Sequence, residues 1–201
     1  MLNVIRDLFS LFDKSDVKYA LWKSLENIEK QVTGDDDLDI LVDPQKKAEA
    51  FKICLDNGLH FNSLSKDRTG TRIHKFWGFD EETLKFVQFH IHYECAFGSK
   101  EFKEFRYPFE SEMLNETISY SGVKRINDNH FFVTRILHAI AKNSKNDTFC
   151  LNLIKNWDDV APEDQEHRLN LLNQTLGWMD SENMIRDLRK DFSKISNYQS
   201  R

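Results

Sequence analysis

Ala20-Leu21-Trp22-Lys23-Ser24, a spacer of twelve residues, and Asp37-Leu38-Asp39-Ile40 form the stretch on which the reading of this chain turns. Val17 to Trp22 is rich in β-branched and aromatic residues, is too short for a helix and follows the turn-like Asp13-Lys14-Ser15-Asp16, so it reads as a strand. Ser24 then stands at a strand-to-helix turn, where backbone N–H groups and a hydroxyl can receive a phosphate. It serves equally as an N-cap for the polar helical stretch that follows. The spacer suits one short helix returning the chain to a neighbouring strand, and Leu38 to Val42 supplies that strand. Side chains alternate along a strand, so Asp37 and Asp39 project to one side while Leu38 and Ile40 enter the core. Two carboxylates ~6–7 Å apart on a strand edge can share a hard divalent cation, which prefers oxygen ligands. Such an ion neutralises phosphate charge and orients a nucleophile for in-line attack. Asp35 and Asp36 lack the alternation and read as a solvated turn after Gly34.

Working outward, Val4, Ile5, Leu8, Phe9, Leu11 and Phe12 fall at helical spacing and open the chain with a short amphipathic helix. Asp43-Pro44 is a helix start, and the helix runs through Ala48, Phe51, Cys54 and Leu55 to a stop at Gly58. Segments near 59–65, 71–79 and 84–93 read as strands, with Gly70, Gly78 and Asp80-Glu81-Glu82-Thr83 as the turns. After Asn127 the pattern changes to helical spacing. Phe131 to Ile140, Phe149 to Trp157, Leu169 to Leu176 and Met184 to Ile195 each mark a helix, with Trp157 and Trp178 as core. The expected organisation is an α/β module over 1–125 and a helical module over 126–201.

In Lys85 to Glu94, period two sets Val87, Phe89 and Ile91 on one face and Gln88, His90, His92 and Glu94 on the other. A histidine acts as a general base near neutral pH, or ligates an ion such as Mn²⁺ or Zn²⁺. Lys66, Arg68, Arg72, His74 and Lys75 form a basic stretch able to meet phosphate or an acidic acceptor, Arg72 being an additional site candidate. No P-loop, dinucleotide-binding glycine motif, GxSxG or Cys/His zinc spacing occurs in the sequence, which removes those chemistries from consideration.

Composition narrows the class further. Sixteen Phe and four Trp within 40% hydrophobic content fill a core, which excludes global disorder. No apolar run approaches the ~20 residues of a bilayer span, so no membrane partner is expected. The start lacks a signal-peptide pattern, and Cys54, Cys95 and Cys150 form no CxxC pair, so a cytoplasmic location is the expectation. With 28 Lys+Arg against 33 Asp+Glu, the net charge of −5 argues against nucleic acid as the partner.

Trp22-Lys23-Ser24, the spacer and Asp37-Leu38-Asp39-Ile40 resemble the signature of the nucleotidyltransferase superfamily, the fold of DNA polymerase beta. That signature is a hydrophobic residue, Gly, Gly or Ser, a spacer, then Asp-hydrophobic-Asp/Glu-hydrophobic; here Lys23 takes the place of the first Gly. Phe89 to Tyr93, Arg106 to Glu110 and Asn127 to Lys142 are similar to nucleotidyltransferase-like proteins, some associated with surface-polysaccharide genes. The resemblance implies an α+β fold, with a mixed β-sheet flanked by helices and followed by the C-terminal helical module. It implies nucleotidyl transfer from an NTP to a small-molecule or sugar-related acceptor, with Mg²⁺ or Mn²⁺ on Asp37 and Asp39 and the nucleotide at Lys23 and Ser24. His90 falls where the third carboxylate of the superfamily stands, with His92 beside it. The alternative implied is a catalytically degenerate relative that binds a nucleotide or a partner protein, including a toxin–antitoxin component.

Overall fold

The computed structural model describes residues 1–62, 72–98, 105–177 and 179–198, so Lys66, Arg68, Gly70 and Trp178 lie outside the described residues. The chain divides into two compact units, one of Met1–Cys95 with Phe109–Asn127 and the other of Ala96–Pro108 with Asp128–Arg201.

The first unit is built on a mixed seven-stranded sheet. Its strands are β1 (Tyr19–Leu21), β2 (Leu38–Val42), β3 (His60–Phe61), β4 (Ile73–Asp80) and β5 (Lys85–His92), and after β6 (Cys95–Phe97) and β7 (Phe105–Tyr107), which pair separately, β8 (Ile118–Tyr120) and β9 (Val123–Arg125). The spatial order is β3-β4-β5-β2-β1-β9-β8. β2 runs antiparallel to β1 and parallel to β5, so the strand carrying Asp39, with Asp37 just ahead of its first residue, lies in the middle of the sheet.

Helix α1 (Asn3–Lys14) buries Ile5, Leu8, Phe9 and Phe12, the stripe its sequence spacing predicts, and Phe9 stacks on Tyr19 of β1 at 4.6 Å. Asp80 ties this helix to the β4–β5 turn: its carboxylate accepts from the Val4 and Thr83 amides (3.2 and 3.0 Å) and from the Thr83 hydroxyl. α2 (Ile28–Val32) links β1 to β2. Asp43 caps the start of the next segment by accepting from the Gln45 amide, and α3 (Lys47–Asp56) follows. Gly58, with φ at +77°, turns the chain after it, as expected.

Gly78 departs from its expected role as a turn. It lies inside β4, where a Cβ would come within 2.8 Å of Leu59 Cδ2 and of Phe89 Cε2 and 3.1 Å of Val4 Cγ2. Its lack of a side chain lets α1 and the chain after α3 approach the sheet. α4 (Glu110–Asn115) packs against β1 and β2.

The second unit holds α5 (Asp128–Lys142), α6 (Thr148–Lys155), α7 (Pro162–Leu176) and α8 (Ser181–Lys190), at the places where helical spacing marks them. Arg135 pairs with Asp147, which also caps α6 through the Cys150 amide. Arg168 of α7 donates to Asn129 and lies over the Phe132 ring of α5. β7 adds Tyr107, fully buried, whose hydroxyl meets His130 Nδ1 at 2.6 Å. No helix among the described residues is long and apolar enough to cross a membrane. Cys54, Cys95 and Cys150 are buried and outside any disulfide.

Candidate functional site

The site begins where β1 stops pairing. Trp22 is fully buried, and its ring meets the His92 ring edge-on at 5.0 Å, while the Lys23 ammonium lies 4.3 Å over the Trp22 ring. Ser24 adopts φ 50° and ψ 37°, the left-handed conformation that favours glycine. Its side chain makes no capping hydrogen bond to the short 3₁₀ turn Leu25–Asn27, so the N-cap role open to it in the sequence is not taken. The turn is held from beneath by Gln31 of α2, a fully buried side chain whose amide donates to the carbonyls of both Lys23 and Ser24 at 2.9 Å. Sequence reasoning missed Gln31, which sits in a polar stretch with no periodic signal marking it as inward-facing.

Beyond α2, Asp35 is taken up by Lys85 and by the Thr33 hydroxyl, both at 2.8 Å, and Asp36 accepts from the Asp37 amide. Both acids therefore serve the turn, as expected. Strand β2 is buried except at Asp39, which is half-buried. The parallel register of β2 on β5 sets Asp39 directly beside His90 and Leu41 beside His92. The consequence is a convergence on one oxygen: His92 Nε2 lies 2.7 Å and His90 Nδ1 3.4 Å from Asp39 Oδ1. Asp37, at the mouth of the strand and half-exposed, faces the other side of the His90 ring, with Oδ2 3.9 Å from Nε2. That His90 Nε2 is buried without a hydrogen-bond partner.

Electrostatics fix the charge state of the inner pair. Burial works to raise the Asp39 pKa, but hydrogen bonds from His90 and His92 outweigh it and hold the carboxyl well below the usual range. Burial pushes His92 down to about 3, and the nearby Lys23 charge adds to the effect. At neutral pH the centre is therefore an ionised Asp39 against an uncharged His92, with Nε2 carrying the proton toward the carboxylate.

The remaining candidates separate. Arg72 pairs with Glu94 (2.9 Å). His74 turns away from the site, into an aromatic cluster with Phe51, Phe61 and Tyr93. Lys75 stands opposite His90, and Trp77 opposite Gln88, so both share the sheet face that carries Asp39 and His90. The Trp77 ring is 41% exposed there, open enough to stack on a ligand.

Taken as a donor set, one carboxylate oxygen and two imidazole nitrogens lie within 4.8 Å of one another at Asp39, His90 and His92. Mg²⁺ demands near-octahedral oxygen coordination, and this nitrogen-rich set fits it poorly. Imidazole-rich sets suit borderline ions. Compared with protein-family models, with curated proteins and with solved structures, the chain matches none of them.

Proposed function

We propose that this chain is a metal-dependent nucleotidyltransferase, moving a nucleotidyl group from an NTP to a small-molecule or sugar-related acceptor and releasing pyrophosphate. The observation that carries the reading is the register of β2 on β5, which sets ionised Asp39 beside His90, with Asp37 facing the same ring, while the pairing of β1 with β2 brings the Trp22 amide, just ahead of the Lys23–Ser24 turn, onto the Asp39 carbonyl. A divalent ion bound at this centre supplies neutralisation of phosphate charge. The Lys23 ammonium, whose field already reaches Asp39 and His92, adds positive charge where a triphosphate enters. The Ser24 hydroxyl, not engaged in capping, offers a hydrogen bond to a phosphate oxygen, and Gln31 keeps that turn in place. Asp37, half-exposed and faced by His90 Nε2, takes the proton of the acceptor hydroxyl as its oxygen attacks the α-phosphorus. The bond from that phosphorus to the bridging oxygen breaks, and pyrophosphate leaves with the electron pair. Positioning and charge carry most of the catalysis in such a step.

The test is calorimetric titration of each of the four NTPs, with Mn²⁺ or Mg²⁺, into wild type and the Asp37→Asn/Asp39→Asn double variant. Metal-dependent binding of one NTP, lost in the double variant, is the expected result, followed by pyrophosphate release with an acceptor panel. Failure of every NTP to bind the folded wild type overturns the reading. Binding without pyrophosphate release from any acceptor identifies a nucleotide-binding domain that has lost the reaction.

A further inference from the structure

We propose that Asp39, His90 and His92 form a first-row transition-metal site, selective for ions such as Mn²⁺, Fe²⁺, Co²⁺ or Zn²⁺ over Mg²⁺ and Ca²⁺. The inference rests on the nucleotidyl-transfer reading for what the ion is used for, but on the side chains alone for its binding.

Three observations support it. The donor atoms of the three residues lie within 4.8 Å of one another. Two ligands held ~2.1 Å from a common ion are ~3.0 Å apart at a right angle and ~3.4 Å apart in a tetrahedron. His90 Nδ1 and Asp39 Oδ1, at 3.4 Å, already have that spacing; His92 Nε2 and Asp39 Oδ1, at 2.7 Å, need to open by a few tenths of an ångström, with the His92 proton passing to Nδ1 as the ion takes its place. Second, the His90 ring is poorly accounted for by hydrogen bonds. Its Nδ1, the nitrogen aimed at Asp39, stands 3.4 Å from Oδ1, long for a hydrogen bond. An ion shared with Asp39 and His92 would fix that ring. Third, the site is sheltered without being sealed. The side chains of Asp39 and His90 are each 15% exposed and His92 only 3%, so the ligands are shielded while Asp37 and solvent border the outer side.

The chemistry selects the ion. Two imidazoles and one carboxylate offer two nitrogen donors to one oxygen donor, whereas Mg²⁺ and Ca²⁺ sites are built from oxygen donors. Imidazole donors favour the later first-row ions, and a set of three protein ligands leaves positions open for water or phosphate oxygens. The ion and Asp37 would then face the same incoming ligand from opposite sides of the His90 ring.

Co²⁺ is the probe, because its visible d–d absorption reports both binding and geometry. The full chain is titrated with Co²⁺, then challenged with Zn²⁺, Mg²⁺ and Ca²⁺ at equal concentration. Binding of one Co²⁺, displaced by Zn²⁺ and not by Mg²⁺ or Ca²⁺, is expected. His90→Gln should weaken it by at least ~10²-fold, since loss of a ligand exceeds the effect of an outer-shell change. His92→Gln is less decisive, because His92 packs against Trp22 and its loss can disturb folding; His90→Gln, checked by circular dichroism, therefore decides. Displacement of Co²⁺ by Mg²⁺, Co²⁺ affinity unchanged in folded His90→Gln, or no Co²⁺ or Zn²⁺ binding to folded wild type each overturns the proposal. The two readings fail separately. Co²⁺ binding that depends on His90, with no NTP bound under any metal, supports the metal site and overturns nucleotidyl transfer. NTP binding with Mg²⁺ that is indifferent to His90→Gln does the reverse.

Discussion

Two histidines are buried in this molecule to nearly the same depth, and their rings meet groups of different chemistry. His92 in the sheet unit and His130 in the helical unit are 2% and 0% exposed. Burial is the first cause of a lowered pKa in both, to about 3 and about 4. Their partners differ in kind. His130 Nδ1 meets the neutral hydroxyl of Tyr107 at 2.6 Å, and the nearby His167 ring adds a second, minor push on its pKa. His92 Nε2 meets the ionised carboxylate of Asp39, on which a second imidazole also converges. A phenol orients a core imidazole without placing charge in the interior. A buried carboxylate carries a desolvation penalty that packing alone does not require. Depth and a shifted pKa therefore do not distinguish the two rings; the carboxylate on which two imidazoles converge does.

The sharpest way to break this contrast is to exchange the acceptor in each pair. On the proposed metal site, Asp39→Asn should reduce metal-dependent NTP binding by at least ~10²-fold in calorimetry, since it would remove a direct ligand. Tyr107→Phe should leave that binding unchanged. It should lower stability in urea unfolding by about 1–2 kcal/mol through loss of a buried hydrogen bond. A Tyr107→Phe variant that loses NTP binding would erase the distinction drawn between the two centres.

A smaller effect comes from pH. His130 titrates at about 4 in the fold and near ~6.5 in the unfolded chain. The unfolded state therefore takes up the proton first, and this contribution to stability is complete above pH ~6.5 and declines as pH falls toward about 4. One such group gives a slope of at most about 1.4 kcal/mol per pH unit. His130→Gln should flatten the acid side of the stability profile measured by urea unfolding between pH 7 and pH 4.5. An unchanged slope would show that the ring takes up its proton in the fold as readily as in the unfolded chain.

The sequence exposed the part of this arrangement that depends on periodicity. Alternation in Leu38–Val42 and Lys85–His92 assigned Asp39, His90 and His92 to sheet faces, and helical spacing located the helices of the second half. What it could not expose depends on pairing between distant segments. Which strand lies beside β2, and in which register, decides that Asp39 faces His90 rather than a neighbour two residues away, and no local pattern encodes that. Gln31 is a polar residue buried because two carbonyls of a left-handed turn need a donor, a demand invisible from its own neighbourhood. Gly78 carries the ordinary mark of a turn but answers to the Leu59 and Phe89 side chains packed over it. The hairpin of β8 and β9 escaped because its strands are short, and Ser119 and Tyr120 lie exposed rather than in a buried stripe.

The smallest effect expected concerns the open part of the site's own face. Trp77 stands one row along the sheet from the Lys75–His90 pair and presents a half-exposed ring. Flat aromatic rings hold nucleobases by stacking with little regard to which base is bound. In the helical unit the rings of Phe132 and Trp157 contact each other at 5.3 Å and are both buried, so they offer no such surface. If the nucleotide lies with its phosphates at Lys23 and Ser24 and its base over β4, Trp77→Ala should weaken NTP binding about five-fold, equivalent to about 1 kcal/mol of stacking. Trp77→Phe should restore most of the loss, and Co²⁺ affinity should not change in either variant, because Trp77 contributes no ligand atom to the Asp39 centre. Equal NTP affinity in wild type and Trp77→Ala would place the base elsewhere and leave the phosphate end of the site as the only part the sheet face holds. A parallel loss of Co²⁺ binding would instead mean that the substitution disturbs β4 and β5 together, since Trp77 pairs in register with Gln88, two residues from His90.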